Sequence, residues 1–249
     1  MSRRKILVTN DDGIYANGIQ FLVKTLSEKN DVYVVAPSSQ KSAKSMALTM
    51  CQNMDAEEIE MQGAVRTYAF DGTPADCVKW AFMNFSKEGI KFDNLMSGIN
   101  QGENAGDAVY YSGTIAAAME GAINGIKSIA LSVENHEATE FGAICGVLED
   151  MIKISEKFTC DTVLSVNSPE LKIDEIKGIK KAVLTPHCYG ETFEFTKVCE
   201  NTYIQKTVYN PGEPDNDYDY DLIKKGYITV TPLTVNRIDK KAFEELNIL

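Results

Sequence analysis

Asp11 and Asp12 are the first residues in the chain whose types and spacing suggest chemistry. Adjacent carboxylates repel one another unless a cation sits between or beside them. Carboxylate and amide oxygens are hard ligands, suited to Mg²⁺, Mn²⁺ or Ca²⁺ rather than zinc. Asp-Asp-Gly is also an ordinary turn and helix-cap composition, so the pair alone decides nothing. Its position says more. It follows Lys5 to Thr9, a continuous apolar run of the kind found in a parallel strand covered on both faces.

Further polar groups stand after other strand candidates. Ser38, Ser39, Ser42 and Ser45 follow Asp31 to Ala36, and Asn100, Asn104 and Asp107 follow Leu95 to Ser97. The stretch from Gly98 to Gly113 holds four glycines in sixteen residues, which lets backbone N–H groups approach a ligand closely. Ser112-Gly113-Thr114 then opens a helix, where hydroxyls and free amides make an anion site. The stretch matches neither the Walker A pattern nor GxGxxG, so a P-loop or an NAD-binding oxidoreductase is disfavoured.

The elements that must position these groups read as an α/β fold. Strand, loop, an amphipathic helix over Gly18 to Lys29 and a second strand form a βαβ unit, which predicts a mostly parallel, doubly wound, Rossmann-like sheet between two helical layers. In such sheets ligands collect at the carboxyl ends of the strands. Thr73-Pro74-Ala75-Asp76 carries N-cap, first-turn proline and dipole-complementing chemistry for a helix through Phe82. Thr114 to Ile123 is a small-residue helix, and Phe141 to Phe158 reads as another. Ser128 to Val133, Asp161 to Val166, Ala182 to Thr185 and Tyr227 to Thr231 are further strands. Past Pro186 the texture changes: Thr192 to Val198 and Thr202 to Tyr209 resemble hairpin arms, and Lys240 to Leu249 a terminal helix. One domain over 1–249 is expected, with a core over about 1–188 and an extension over about 189–249. An extended hairpin with little core of its own often packs on another subunit.

With 25 Lys and Arg against 36 acids the net charge is −11. That disfavours a nucleic-acid polymer or an anionic membrane as partner. A small phosphorylated substrate remains compatible if a metal supplies local positive charge. No run approaches roughly 18 apolar residues, as a membrane span requires. The start turns acidic too soon for a signal peptide, and the six cysteines form no CxxC pair, which disfavours a disulfide framework or zinc site. These features together read as a cytoplasmic chain. The histidines, His136 and His187, are assigned no catalytic role. Asp215 to Asp221 alternates acids but lacks the EF-hand Gly and Glu positions, and reads as a solvated loop. Trp80, Phe82 and Phe85 read as core aromatics.

The blocks ILVTNDDGIYANGI (Ile6 to Ile19), VVAP (Val34 to Pro37), GTPADCV (Gly72 to Val78), SGINQGENAGDAVYYSGTIAAAMEG (Ser97 to Gly121) and GYITVTPL (Gly226 to Leu233) resemble the survival protein SurE family in order and spacing. The resemblance implies a 5′/3′-nucleotidase acting on nucleoside monophosphates with one divalent metal, Mg²⁺ or Mn²⁺, per subunit. It maps metal ligands onto Asp11, Asp12, Ser42 and Asn100, and phosphate-side groups onto Asn104, Ser112, Gly113 and Thr114. It also implies a homodimer or homotetramer formed by C-terminal exchange, and leaves polyphosphate open as a substrate. The loop after VVAP departs from the family's Arg-rich pattern; register places the ligand at Ser42, with Ser39 the alternative. Glu103 stands where a proline is common.

On this reading the catalytic set is Asp11, Asp12, Asn104, Ser112 and Thr114. One of the two aspartates accepts a proton from the attacking water, while Asn104 and the Ser112 to Thr114 helix start steady the phosphoryl oxygens. Two other readings stand beside it: a covalent aspartyl-phosphate, and a nucleotide sensor without turnover.

Overall fold

The structure is a computed structural model that describes residues 3–186, 193–207 and 218–246. His187, Cys188, Thr192, positions 208–209 of the second hairpin arm, positions 215–217 of the acidic run and the last three residues lie outside that description.

The first strand, β1 (Lys5–Thr9), forms because Ile6, Leu7 and Val8 can all be buried at once. Ile6 and Val8 point to one face of the sheet and Leu7 to the other. Helix α1 (Asn17–Ser27) follows, burying Ile19, Leu22, Val23 and Leu26 along one helical stripe. Then come β2 (Asp31–Pro37), β3 (Ala56–Ile59), β4 (Ala64–Phe70), α2 (Pro74–Lys87), β5 (Asn94–Gln101) and α3 (Gly113–Ile123). The chain continues through β6 (Lys127–Val133), α4 (Gly142–Gly146), α5 (Leu148–Ser155), β7 (Thr162–Ser168) and β8 (Ile179–Lys181). β9 (Phe193–Cys199), β10 (Thr202–Thr207), α6 (Asp219–Lys224), β11 (Ile228–Thr234) and α7 (Lys240–Glu245) complete it.

Nine strands make one sheet in the order β3-β4-β2-β1-β5-β6-β7-β11-β8 among the described residues. From β4 to β7 every neighbour is parallel, whereas β3 and β11 run antiparallel to their neighbours β4 and β7. The chain winds outward from β1 to β2 and then from β5 to β7, so the winding reverses between β1 and β5. That crevice is where such sheets take ligands. One helical layer carries α1, α4 and α5 over Val8, Val34, Met96 and Ile129. The other carries α2 and α3 over Leu7, Val35, Leu95 and Ala130. The expected three-layer architecture is therefore present, with a separate β9–β10 hairpin.

The second layer is built around aromatic rings. Phe85 packs edge-on against Tyr33, Tyr68, Trp80 and Phe92, as core aromatics prefer. The cap read at Thr73 is complete: its hydroxyl accepts from Asp76 N at 3.1 Å, and Asp76 accepts from Thr73 N at 3.0 Å. Asp76 also accepts from the Thr49 hydroxyl at 2.7 Å, which ties the loop after β2 to α2.

Four expectations require correction. β3 and β4 were not anticipated, because Ala56 to Ile59 carries two adjacent glutamates and Ala64 to Phe70 is interrupted by Arg66. A single helix over Phe141 to Phe158 is two short ones, broken at Val147 (φ −103°, ψ 0°). Ala182 to Thr185 is not a strand; β8 lies just before it, and Val183 makes only an isolated bridge to Tyr218. Asp219 to Asp221 is no solvated loop but the start of α6, with both aspartates buried.

Gly18 fixes how α1 meets β5. A Cβ there would lie 2.0 Å from the Ile99 carbonyl oxygen, so the first turn of α1 rests directly on the strand that ends in Asn100 and Gln101. Gly18→Ala is expected to destabilise the fold by about 1–3 kcal/mol through overpacking, read as a lowered urea midpoint. An unchanged midpoint would mean that this contact is not present.

Candidate active site

The site grows from the turn that ends β1. Asn10 Nδ2 donates to the Gly13 carbonyl at 2.8 Å, closing the turn and freeing Asp11 and Asp12 from that task. The next two loops are then fastened to it. Ile14 N donates to Pro37 O at 2.8 Å, and Lys41 N to Asp11 O at 2.7 Å. From the β5 side, Gln101 N donates to Asp12 Oδ2 at 3.2 Å. The first turn of α3 closes the remaining side: Thr114 Oγ1 donates to Asp11 Oδ1 in a short bond. Gly113 lies so close that a Cβ there would stand 2.8 Å from the Asp11 Cβ. Only glycine permits that approach.

Burial gives the pair its electrostatics. Asp11 is 4% exposed, and its carboxyl is pushed up from 3.8 to about 6. Loss of solvation is the main cause, the Thr114 hydrogen bond opposes it, and the neighbouring Asp12 charge adds to it. Asp12 is raised too, again chiefly by burial, against hydrogen bonds from Gln101 and Gln40 and the charge of His136. No lysine or arginine stands among the principal contributions to either balance. A buried carboxylate beside a half-buried one of like charge, with no lysine or arginine among their principal partners, forms a place that suits a metal ion.

The rest of the donor set agrees. Asn100 Nδ2 donates to Gly102 O at 2.6 Å, leaving the amide oxygen as its other end. The Asn10 Oδ1 and Asp107 Oδ1 atoms are buried and have no hydrogen-bond partner among the described residues. Ser42 is exposed and accepts from Gln40 Nε2 at 3.0 Å. Gln40 also lies close enough to Asp12 to counter the rise of its pKa, so Ser42 and Asp12 share it as a neighbour. Among the described residues no group of three or more His, Cys, Asp or Glu is placed to hold a metal. A cation here must complete its shell with amide, hydroxyl or water oxygens, as Mg²⁺ and Mn²⁺ do.

The helix start is an anion site by construction. Ser112 is the N-cap and its hydroxyl accepts from Ile115 N at 3.1 Å. The amides of Gly113 and Thr114 precede that bond and have no intrahelical acceptor. Asn104 lies in the loop between β5 and α3 but is used internally: Nδ2 donates to Ser132 Oγ at 2.9 Å, and its backbone N to Asn167 Oδ1 at 2.8 Å. Ser132 and Asn167 were missed, although both stand at strand ends. Strand register puts Asn100, Ser132 and Asn167 in one row across β5, β6 and β7, so the carboxyl-end rule applied to every strand finds them. His136 is exposed, yet it stands at the edge of the site, with Nδ1 3.2 Å from Gln101 O. Beside it a cavity of about 730 Å³ opens between Glu103, Ala105, Ala108, Tyr220, Ile223 and Lys224.

Residues 6–191 match the family model described as survival protein SurE. The chain belongs to the SurE family. It is 39% identical over 237 residues to the 5′-nucleotidase SurE of Petrotoga mobilis, covering 92% of each chain. It is 35% identical to that of Caldanaerobacter subterraneus, covering 99% of this chain and 98% of the other. A crystal structure of the SurE protein from Aquifex aeolicus superposes with a TM-score of 0.84 at 33% identity, over 97% of this chain and 98% of that one. The SurE match takes in the loops around Asp11, Asp12 and Thr114.

The raised Asp11 value has a consequence for stability. Folded Asp11 holds its proton more tightly than the unfolded chain does, so the folded state binds more protons between pH 3.8 and about 6. Stability therefore falls as pH rises through that window, by on the order of 3 kcal/mol. In metal-free protein, Asp11→Asn should remove this fall, seen as a melting temperature that gains on wild type from pH 4 to pH 7. Equal pH slopes in the two proteins would refute the assignment.

Proposed function

We propose that the chain is a divalent-metal-dependent phosphatase that hydrolyses nucleoside 5′- and 3′-monophosphates to nucleoside and phosphate. The observation that carries this reading is the Asp11–Asp12 pair, Asp11 buried and Asp12 half-buried, set against the open first turn of α3. An acidic pair draws a cation, and an amide-rich helix start draws an anion. Only a ligand group that takes both, such as a phosphoester on a metal, satisfies them together. The names of the relatives support the same activity.

In this proposal Asp11, Asp12, Ser42 and Asn100 would hold one Mg²⁺ or Mn²⁺ per subunit, with Ser39 as the alternative to Ser42. The bound cation would neutralise phosphate charge and make an attacking water more acidic. Asp11 or Asp12 would serve as the general base that accepts a proton. The Gly113 and Thr114 amides and the Ser112 hydroxyl bind the phosphoryl oxygens. Asn104 serves the same group from the neighbouring loop, braced by Ser132. The nucleoside takes the adjoining cavity, whose volume of about 730 Å³ lies within the range of small-molecule sites.

The chain also works as a homodimer or homotetramer built through residues 189–249, outside a core of about 1–188. The hairpin supports this, since Phe195, Val198, Tyr203 and Ile204 are more than half exposed on it and apolar surface of this kind favours association. No helix among the described residues is long and apolar enough to cross a membrane, in keeping with a cytoplasmic setting.

Phosphate release from AMP and GMP should require added Mn²⁺ or Mg²⁺. Asp11→Asn and Asp12→Asn should each lower it by at least about 100-fold with circular dichroism unchanged. Near-normal turnover in both variants, or nucleotide binding without release under every metal tried, would overturn the proposal, the latter in favour of a sensor.

A further inference from the structure

We propose that Asp219, far from the acidic pair in sequence, is a positioning residue for the loop that handles the phosphate, acting through the Gly106 amide. The inference rests on the phosphatase reading above.

The loop from Gln101 to Gly106 carries Asn104 and leads into the start of α3. It is held at successive points by different parts of the molecule. Gln101 N is bonded to Asp12, and Gly102 N donates to Val133 O at 2.9 Å. Asn104 N is bonded to Asn167 at 2.8 Å. The last fastening is Gly106 N, which donates to Asp219 Oδ2 at 2.9 Å. The first three acceptors belong to the central sheet or the turn after β1. Asp219 alone belongs to the C-terminal part of the chain.

Asp219 is completely buried, and a buried carboxylate persists only where its oxygens are well supplied with donors. Its two oxygens have unequal duties. Oδ1 accepts from Thr185 Oγ1 at 2.7 Å, Thr185 N at 2.9 Å and Tyr220 N at 2.8 Å. Oδ2 takes the Gly106 amide. Three of the four bonds clasp Thr185 and the start of α6, and the fourth reaches the loop. Apolar packing reinforces the same joint: Ala105 forms a small buried cluster with Tyr220 and Ile223. Asp219 N also donates to Val183 O at 2.9 Å. The chain thus departs after Thr185 and returns at Tyr218 across one clasp, and that clasp ends on the phosphate loop.

The inequality supplies a selective probe. In Asp219→Asn, the amide oxygen is retained on the side with three donors, and the NH₂ faces the Gly106 N–H, which then has no acceptor. The clasp survives while the loop fastening is lost. Thr185→Val does the reverse, removing one hydroxyl from the clasp and leaving Gly106 bonded.

With saturating Mn²⁺, Asp219→Asn should lower kcat by about 10- to 100-fold, the scale of a misplaced catalytic group. KM should change by less than about threefold. The same kcat loss should appear with p-nitrophenyl phosphate, which has no base. The Gly106 amide should exchange faster with solvent in Asp219→Asn but not in Thr185→Val, whose kcat should stay within about twofold of wild type. Wild-type kcat in Asp219→Asn despite a fast-exchanging Gly106 amide would overturn the proposal. So would kcat losses that follow the melting temperatures of both variants, because that is the behaviour of a merely structural residue. Failure of the phosphatase reading is separately visible as a wild type inert towards both esters. Binding of inorganic phosphate then becomes the readout: weakened in Asp219→Asn, it supports the positioning role, and unchanged, it overturns it.

Discussion

Two carboxylates side by side in a place with little water are the constraint around which this molecule is organised. Neither Asp11 nor Asp12 has a lysine or arginine among the principal influences on its charge. Burial raises the free energy of the ionised forms, and proximity raises it further. The protein tolerates this because hydrogen-bond donors arrive from several directions: Thr114 on Asp11, and Gln101 and Gln40 on Asp12. Those bonds only partly counter the loss of solvation, so the pair remains poised to accept a cation.

Everything that surrounds the pair is arranged to keep it there. The reversal of winding between β1 and β5 creates the crevice. Gly113 lets α3 begin against Asp11, and Gly18 lets α1 sit on Ile99. Each is a backbone approach that a side chain would block. Polar residues at the ends of β5, β6 and β7 brace the intervening loop from behind. The site is consequently rigid where phosphate oxygens must be met, and its donors need little reorganisation to meet them.

Much of this was legible in the residues. β1 was readable because three consecutive apolar residues followed by Asn-Asp-Asp cannot be a solvated turn throughout, and the cap at Thr73 because Thr-Pro-x-Asp has a single good geometry. Legibility ended where local pattern and final environment disagree. β4 is read poorly because Arg66 interrupts it, although the arginine extends to Glu88 at the surface while Thr67, Ala69 and Phe70 beyond it are buried. The acidic run before α6 suggested solvent, because nothing local announces that Gly106, over a hundred positions away, supplies an amide to Asp219.

The order of residues by itself determined the parallel core, the carboxylates at the end of β1, the glycine-rich loop, the capped start of α3 and the family. These depend on periodicity, turn chemistry and short spacing, which act between near neighbours. Only the tertiary structure decided that Asn104 leans on Ser132, that His136 borders Asp12, that Thr114 meets Asp11, and that Asp219 is buried beneath the loop. Each of these is a contact between segments brought together by sheet register and helix packing. A charged side chain carries no local mark of whether its partner will be water or a distant amide.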